Sequence, residues 1–246
     1  MGKFIPLAIY ISKNFFREKS VVILLVVLPL ILLNSADMSA PDLDIALELD
    51  DTTTQVEADA LLIILYAMTA VVFTAATTSY FVVFNNKNLV PRLIVSGFSR
   101  LQITFSMLLI ILGVNLIVSL IVWIYVLYSV EVINEFGFFV GLFLGSFIFS
   151  TIGLILGDSV QNKTLGLYTL LTLGMLDTAF LENPVLSRRY NEGWIFVMPA
   201  RASVEILLRS SVNSGVNWSD GLINALIYEL ILIFGYIVLK NKLLKN

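Results

Sequence analysis

From Leu101 to Tyr128 the chain carries no Asp, Glu, Lys or Arg. The same holds from Ala60 to Phe84 and from Phe136 to Gly157. An α-helix needs about 20 apolar residues to cross a hydrocarbon core of about 30 Å. No backbone N–H or C=O can be left unpaired there, so such runs fold as helices. Only 13% of the 246 residues are charged, against about 25% in a soluble domain. The mean hydropathy is +0.92. The expected fold is an all-α membrane protein, a single transmembrane domain over residues 1–246. Six transmembrane helices are expected, at about 20–36, 60–84, 101–128, 136–157, 164–180 and 222–239.

The absent residue types exclude much chemistry. There is no cysteine, hence no disulfide, thiol nucleophile or thiolate metal site. There is no histidine, which removes Ser-His-Asp and Cys-His catalysis and imidazole metal ligation. No metal and no cofactor is expected in this chain, and no nucleic-acid partner. A P-loop is missing, as is H-E-x-x-H. Leu156-Gly157-Asp158 only partly resembles an intramembrane aspartyl protease motif, so an enzyme is not expected.

Residues 3–19 read as an amphipathic helix. Phe4, Leu7, Ala8, Ile11 and Phe15 follow helical spacing, with Lys3, Tyr10, Lys13, Asn14 and Arg17 opposite. Such a helix suits the headgroup region. The segment is too mixed to be the apolar core of a cleavable signal. Pro29 is expected to kink the first span. Asp37–Asp59 has eight acids and no cation. It is expected to be a solvated outer loop, although Asp42–Leu49 alternates well enough for a short strand. The D-x-D-x-D-G calcium spacing is absent.

The second span carries Thr74, Thr77 and Thr78 on one face, either a packing surface or a ligand-facing stripe. Trp123, Tyr125 and Tyr128 read as interface anchors. Gly137, Gly141 and Gly145 form a small-residue ridge for helix packing. Residues 177–220 mix arginines with short apolar pieces. They read as helical segments that dip into the outer leaflet and return. One acid, Glu229, is placed within the sixth span. A carboxylate at that depth faces protein or water, as part of a path, a proton-linked group or a structural hydrogen bond.

Asn85–Arg100, between two spans, has three cations, Lys87, Arg92 and Arg100, and no acid. Pro91 suits a first helical turn, and Ser96-Gly97 is a plausible stop. Leu89, Leu93 and Ile94 share one face, with Phe98 extending it, while Lys87, Arg92 and Arg100 stay wet. It is either a surface turn that anchors its neighbours or a docking helix for a soluble partner. Eleven of the fifteen cations fall on this helix, the N-terminal helix, the 158–163 turn and the C-terminal tail. The positive-inside rule then places both termini in the cytoplasm. The 177–220 segment carries the other four.

This order of elements resembles the permease subunit of ABC-2-type ABC exporters over nearly the whole chain. Residues 89–98 (L-V-P-R-L-I-V-S-G-F) look like that family's coupling helix and its approach to the third span. Residues 198–209, from Met-Pro-Ala-Arg-Ala to Arg209, are similar to the segment before its last span. Where these permeases often carry an acid just after the second span, this chain has Asn85-Asn86-Lys87. The resemblance implies a multi-pass plasma-membrane subunit that pairs with a second permease, identical or paralogous. Separate ABC ATPase subunits would bind ATP and Mg. Leu89, Pro91, Arg92, Leu93, Ile94, Gly97, Phe98 and Arg100 would couple to the ATPase. Thr74, Thr77, Thr78, Thr169, Thr172 and Glu229 become candidates for the translocation path or dimer contact. Cargo would be a peptide, drug or lipid-like molecule moved outward. The competing expectation is a secondary transporter or channel acting without an ATPase, which would show inverted repeats; none is evident between the two halves.

Overall fold

The computed structural model describes residues 4–17, 19–39, 44–49, 52–181, 198–212 and 218–243. The architecture is almost wholly helical. In chain order it comprises α1 (Phe4–Phe16), α2 (Lys19–Ser39), β1 (Asp44–Leu49), β2 (Thr52–Glu57), α3 (Ala58–Asn86), α4 (Leu89–Val95), α5 (Arg100–Ser129), α6 (Glu135–Ser159), α7 (Lys163–Met175), α8 (Arg201–Val212) and α9 (Ser219–Leu243). A π-helical segment, Leu176–Leu181, continues α7.

Among the described residues, four helices are long and apolar enough to cross a membrane: α3, α5, α6 and the Gly221–Lys240 part of α9. They coincide with four of the expected spans. The other two expected spans fall on α2, whose apolar stretch is Leu25–Ala36, and on the 13-residue α7 with its π-helical extension. α2 runs through Pro29 within one continuous helix.

α3 is the central helix. Its most apolar window is 78% buried, against 17% for that of α9. α6 crosses it at close range because glycine removes the side chains between them. A Cβ on Gly153 would strike the Ala76 carbonyl, and one on Gly157 would come within 3.0 Å of the Tyr80 carbonyl oxygen. The ridge continues upward on a different neighbour. A Cβ on Gly141 would lie 3.1 Å from the Ser203 carbonyl oxygen of α8, and one on Gly137 would meet Ser210. α8 therefore lies along the first half of α6. Ile206, Leu207 and Leu208 are buried, and Asn134 N–H donates to the Ser210 carbonyl at 2.8 Å. Residues 182–197 and 213–217, with Arg188, Arg189 and Trp194, lie outside the described residues.

The acidic loop contains a hairpin. β1 pairs antiparallel with β2, with Asp44 opposite Glu57 and Leu49 opposite Thr52. The run Thr52–Thr54 with Val56 supplies the β-branched residues of the second strand. α1 buries Leu7, Ala8 and Ile11 while Tyr10, Lys13 and Arg17 stay exposed, as the spacing indicates. Leu7 and Ile11 join the protein core, so part of the apolar face meets helices rather than lipid. At the far end of α5, Trp123 Nε1 donates to the Glu135 carbonyl at 3.0 Å, and Tyr128 is 95% exposed.

Overpacking a filled core costs about 1–3 kcal/mol. Gly153→Val is expected to lose about that much stability, read as a lower unfolding midpoint in detergent. Gly113→Ala, where no atom lies within 4 Å of the new Cβ, is expected to leave the midpoint unchanged or raise it.

Candidate functional site

The bend between α3 and α5 is fixed at both ends of α4. Pro91 sits in the first turn, where its missing N–H costs no helical bond. At the other end Phe98 N–H donates to the Leu93 carbonyl (3.1 Å) and Gly97 N–H to the Ile94 carbonyl (2.9 Å). This is a Schellman closure, and Gly97 takes the left-handed φ of +85° that it requires. Two residues later a capping box starts α5. Gln102 N–H donates to Ser99 Oγ (3.2 Å), and Ser99 N–H to Gln102 Oε1 (2.9 Å).

The side chains of α4 divide into two sets. Leu93, Ile94 and Phe98 pack on the core as expected, and Leu89 is half-buried. Val90, not singled out by the spacing, is buried at 4% exposure. Pro91, Arg92 and Val95 face outward, Val95 at 89% exposure, and Arg100 is half-buried. Lys87 departs from expectation. It is half-buried rather than wet, with Nζ donating to the Val160 carbonyl at 2.7 Å and lying 5.0 Å over the Phe84 ring. Burial pulls its pKa below the ordinary lysine value. Asp158 works against that shift and Lys240 adds to it.

Beside this bend is an ion pair that the sequence did not point to. Lys240 Nζ, near the end of α9, lies 2.6 Å from both oxygens of Asp158 near the end of α6. The side chains are 4% and 7% exposed. Lys240 also lies 5.8 Å over the Tyr236 ring. Asp158, with no cation near it in sequence except Lys163, gave no signal for a partner 82 positions away.

Within the bundle a polar seam runs through α6. Ser150 Oγ donates to Asn115 Oδ1 of α5 at 2.7 Å, and Ser119 and Ser146 hydroxyls lie 3.3 Å apart. On the next face Thr151 Oγ1 donates to Glu229 Oε1 of α9 at 2.7 Å. Glu229 is 4% exposed, and its Oε2 has no partner among the described residues. Sequence reasoning found Glu229 but missed Thr151 and Asn115, although Asn115 is an amide midway along a charge-free run. It also assigned Asp177 to the inter-span segment. Asp177 lies in the π-helical turn, buried, and its Oδ2 accepts the Ala200 N–H at 2.8 Å where α8 begins.

The candidate threonines sit in different environments. Thr74, Thr77 and Thr78 are buried at 0, 3 and 0% exposure inside the chain itself. Their hydroxyls have no hydrogen-bond partner among the described residues. Thr169 is half-buried and its hydroxyl donates to the Leu165 carbonyl at 2.9 Å, while Thr172 is exposed. Among the described residues no three Asp or Glu side chains converge on a possible metal site.

No family model matches the chain, and no curated protein matches it.

Removing one partner of a buried ion pair leaves a bare charge and costs about 3–5 kcal/mol. Lys240→Gln and Asp158→Asn are each expected to destabilise by that order. The double variant is expected to recover part of the loss, measured as a double-mutant cycle by chemical unfolding in detergent.

Proposed function

We propose that this chain is the membrane-spanning permease subunit of an ATP-driven exporter of ABC-2 type. The observation that carries the reading is the outward face of α4. A surface turn that only anchors its neighbours would turn its apolar residues inward. Here Pro91 and the highly exposed Val95 flank Arg92 on a helix whose opposite side is packed. An apolar face with one cation suits a groove on a soluble partner, and the partner proposed is an ABC ATPase holding ATP and Mg. The caps at Gly97 and Ser99 tie α4 to α5 without a flexible link. Displacement of the short helix would therefore pass into a 30-residue span.

In this reading α2 and α7 complete six spans, and both termini face the cytoplasm of a cell whose plasma membrane holds the protein. Two permeases, identical or paralogous, pair with two ATPases. Thr74, Thr77 and Thr78 would then line a path only when the helices around α3 part. A buried hydroxyl left unpaired costs about 1–3 kcal/mol, so three of them favour a second arrangement that wets them. Glu229 would be exposed to the same path. The apolar surroundings suit a peptide, drug or lipid-like cargo. The unpaired Glu229 oxygen also supports a second reading, a proton- or ion-linked transporter acting without an ATPase.

The test is co-purification with a P-loop ATPase, sought first in the neighbouring open reading frames. Val95→Glu and Arg92→Glu are expected to reduce ATPase recovery at least about fivefold, the effect of one or two lost interface contacts. Gly97→Pro is expected to do the same, because proline cannot adopt a positive φ. Substrate movement by the purified chain alone in proteoliposomes would reject the ATP-driven reading in favour of the second.

A further inference from the structure

The end of the bundle where α3, α6 and α9 finish holds more positive charge than it neutralises. Neither Asn85–Arg100 nor Ser159–Met175 contains an acid. Asp158 commits both carboxylate oxygens to Lys240. Lys87 is left with a neutral carbonyl, that of Val160, and feels Asp158 only at longer range. Lys163, exposed at the start of α7, has its Nζ 4.8 Å over the Phe81 ring. Among the described residues neither lysine makes an ion pair.

The two ammonium groups share one aromatic floor. Phe81 and Phe84 are a turn apart on α3, and the Tyr80 ring lies 5.7 Å and 5.5 Å from them. The Tyr80 hydroxyl donates to the Lys163 carbonyl at 3.0 Å, which ties the start of α7 to the same rings. Lys87 and Lys163 therefore stand on either side of the α6–α7 turn, whose Gln161 and Asn162 are exposed. A ring beneath an ammonium satisfies one side of it and leaves the remaining N–H donors for an anion. From Lys163 an apolar track leads along α7. Leu165, Tyr168 and Leu176 are 60, 67 and 47% exposed, and with Thr172 they fall on one helical face.

We infer that this end of the bundle binds an anionic phospholipid, its phosphate held between Lys87 and Lys163 and an acyl chain lying on the Leu165–Leu176 face of α7. The phosphate neutralises two lysines that make no ion pair among the described residues, and the acyl chain covers side chains that no described helix covers. A free phosphate would use the first feature only, so the apolar track assigns the site to a lipid. Basic pockets between helix ends at a membrane surface recognise headgroups by this chemistry. The inference requires that the bundle sit in a bilayer and does not depend on an ATPase partner.

The experiment is native mass spectrometry of the purified chain in neutral detergent. It is titrated separately with phosphatidylglycerol, phosphatidylcholine and inorganic phosphate. Phosphatidylglycerol is expected to be retained about thirtyfold better than phosphatidylcholine, a preference of the size two lysines supply. Inorganic phosphate is expected neither to bind nor to displace it. Lys87→Gln with Lys163→Gln is expected to abolish the preference. Lys163→Gln alone, at an exposed position that leaves the fold intact, removes a measurable part of it. Lys13→Gln, an exposed lysine on α1, leaves it unchanged. Undiminished phosphatidylglycerol retention in the double variant, equal retention of phosphatidylcholine, an equal loss in Lys13→Gln, or displacement by inorganic phosphate would each overturn the assignment.

Discussion

At Gly153 the α6 backbone lies so close to the Ala76 carbonyl of α3 that no side chain fits between them. In a bilayer the lipid tails are as apolar as leucine, so burial of apolar surface does not by itself drive helices together. Association then depends on contact area and on hydrogen bonds, and both increase as backbones approach. The glycines of α6 permit that approach twice, against α3 with Gly153 and Gly157 and against α8 with Gly137 and Gly141. With α6 seated, α3 becomes the axis around which α2, α5 and α7 also pack.

The same helix carries the polar seam. Ser146 and Ser150 reach α5, and Thr151 reaches α9. Such bonds inside membranes average about 0.6 kcal/mol each, so they set rotation and register more than total stability. They also locate Glu229, a group that a spanning helix does not carry without a neighbour to receive it. A helix that supplies both the close-packing ridge and the hydroxyls of the seam cannot rotate without disturbing two interfaces at once.

Much of this was legible in the sequence where the signal was local. The spans of α3, α5 and α6 follow from the absence of charge, and their ends lie within about two residues of the apolar runs, the ordinary uncertainty of a helix boundary. α4 was legible because Pro91 and Gly97 punctuate it. What escaped is what the fold brings together. Lys87 looks wet on a helical wheel and only the Phe84 ring beneath it is local; the Val160 carbonyl that receives it lies 73 positions away, past the end of α6. Thr74, Thr77 and Thr78 do share a face; no periodicity says that helices of the same chain cover it. The hairpin was half seen, because the acids around Thr52–Glu57 read as solvent-exposed loop and masked its β-branched pattern. Asp177 was assigned by its neighbours in the chain, whereas its position is set by the start of α8.

The Asp158–Lys240 pair has a bearing on how the protein is made. Asp158 leaves the ribosome 82 residues before the lysine that neutralises it. In the interval the Asp158 carboxylate lacks its partner from α9, and Thr151 lacks the Glu229 carboxylate. α9 therefore acts as a clasp on α6: its arrival gives Asp158 a counter-charge at one level and Thr151 an acceptor at another.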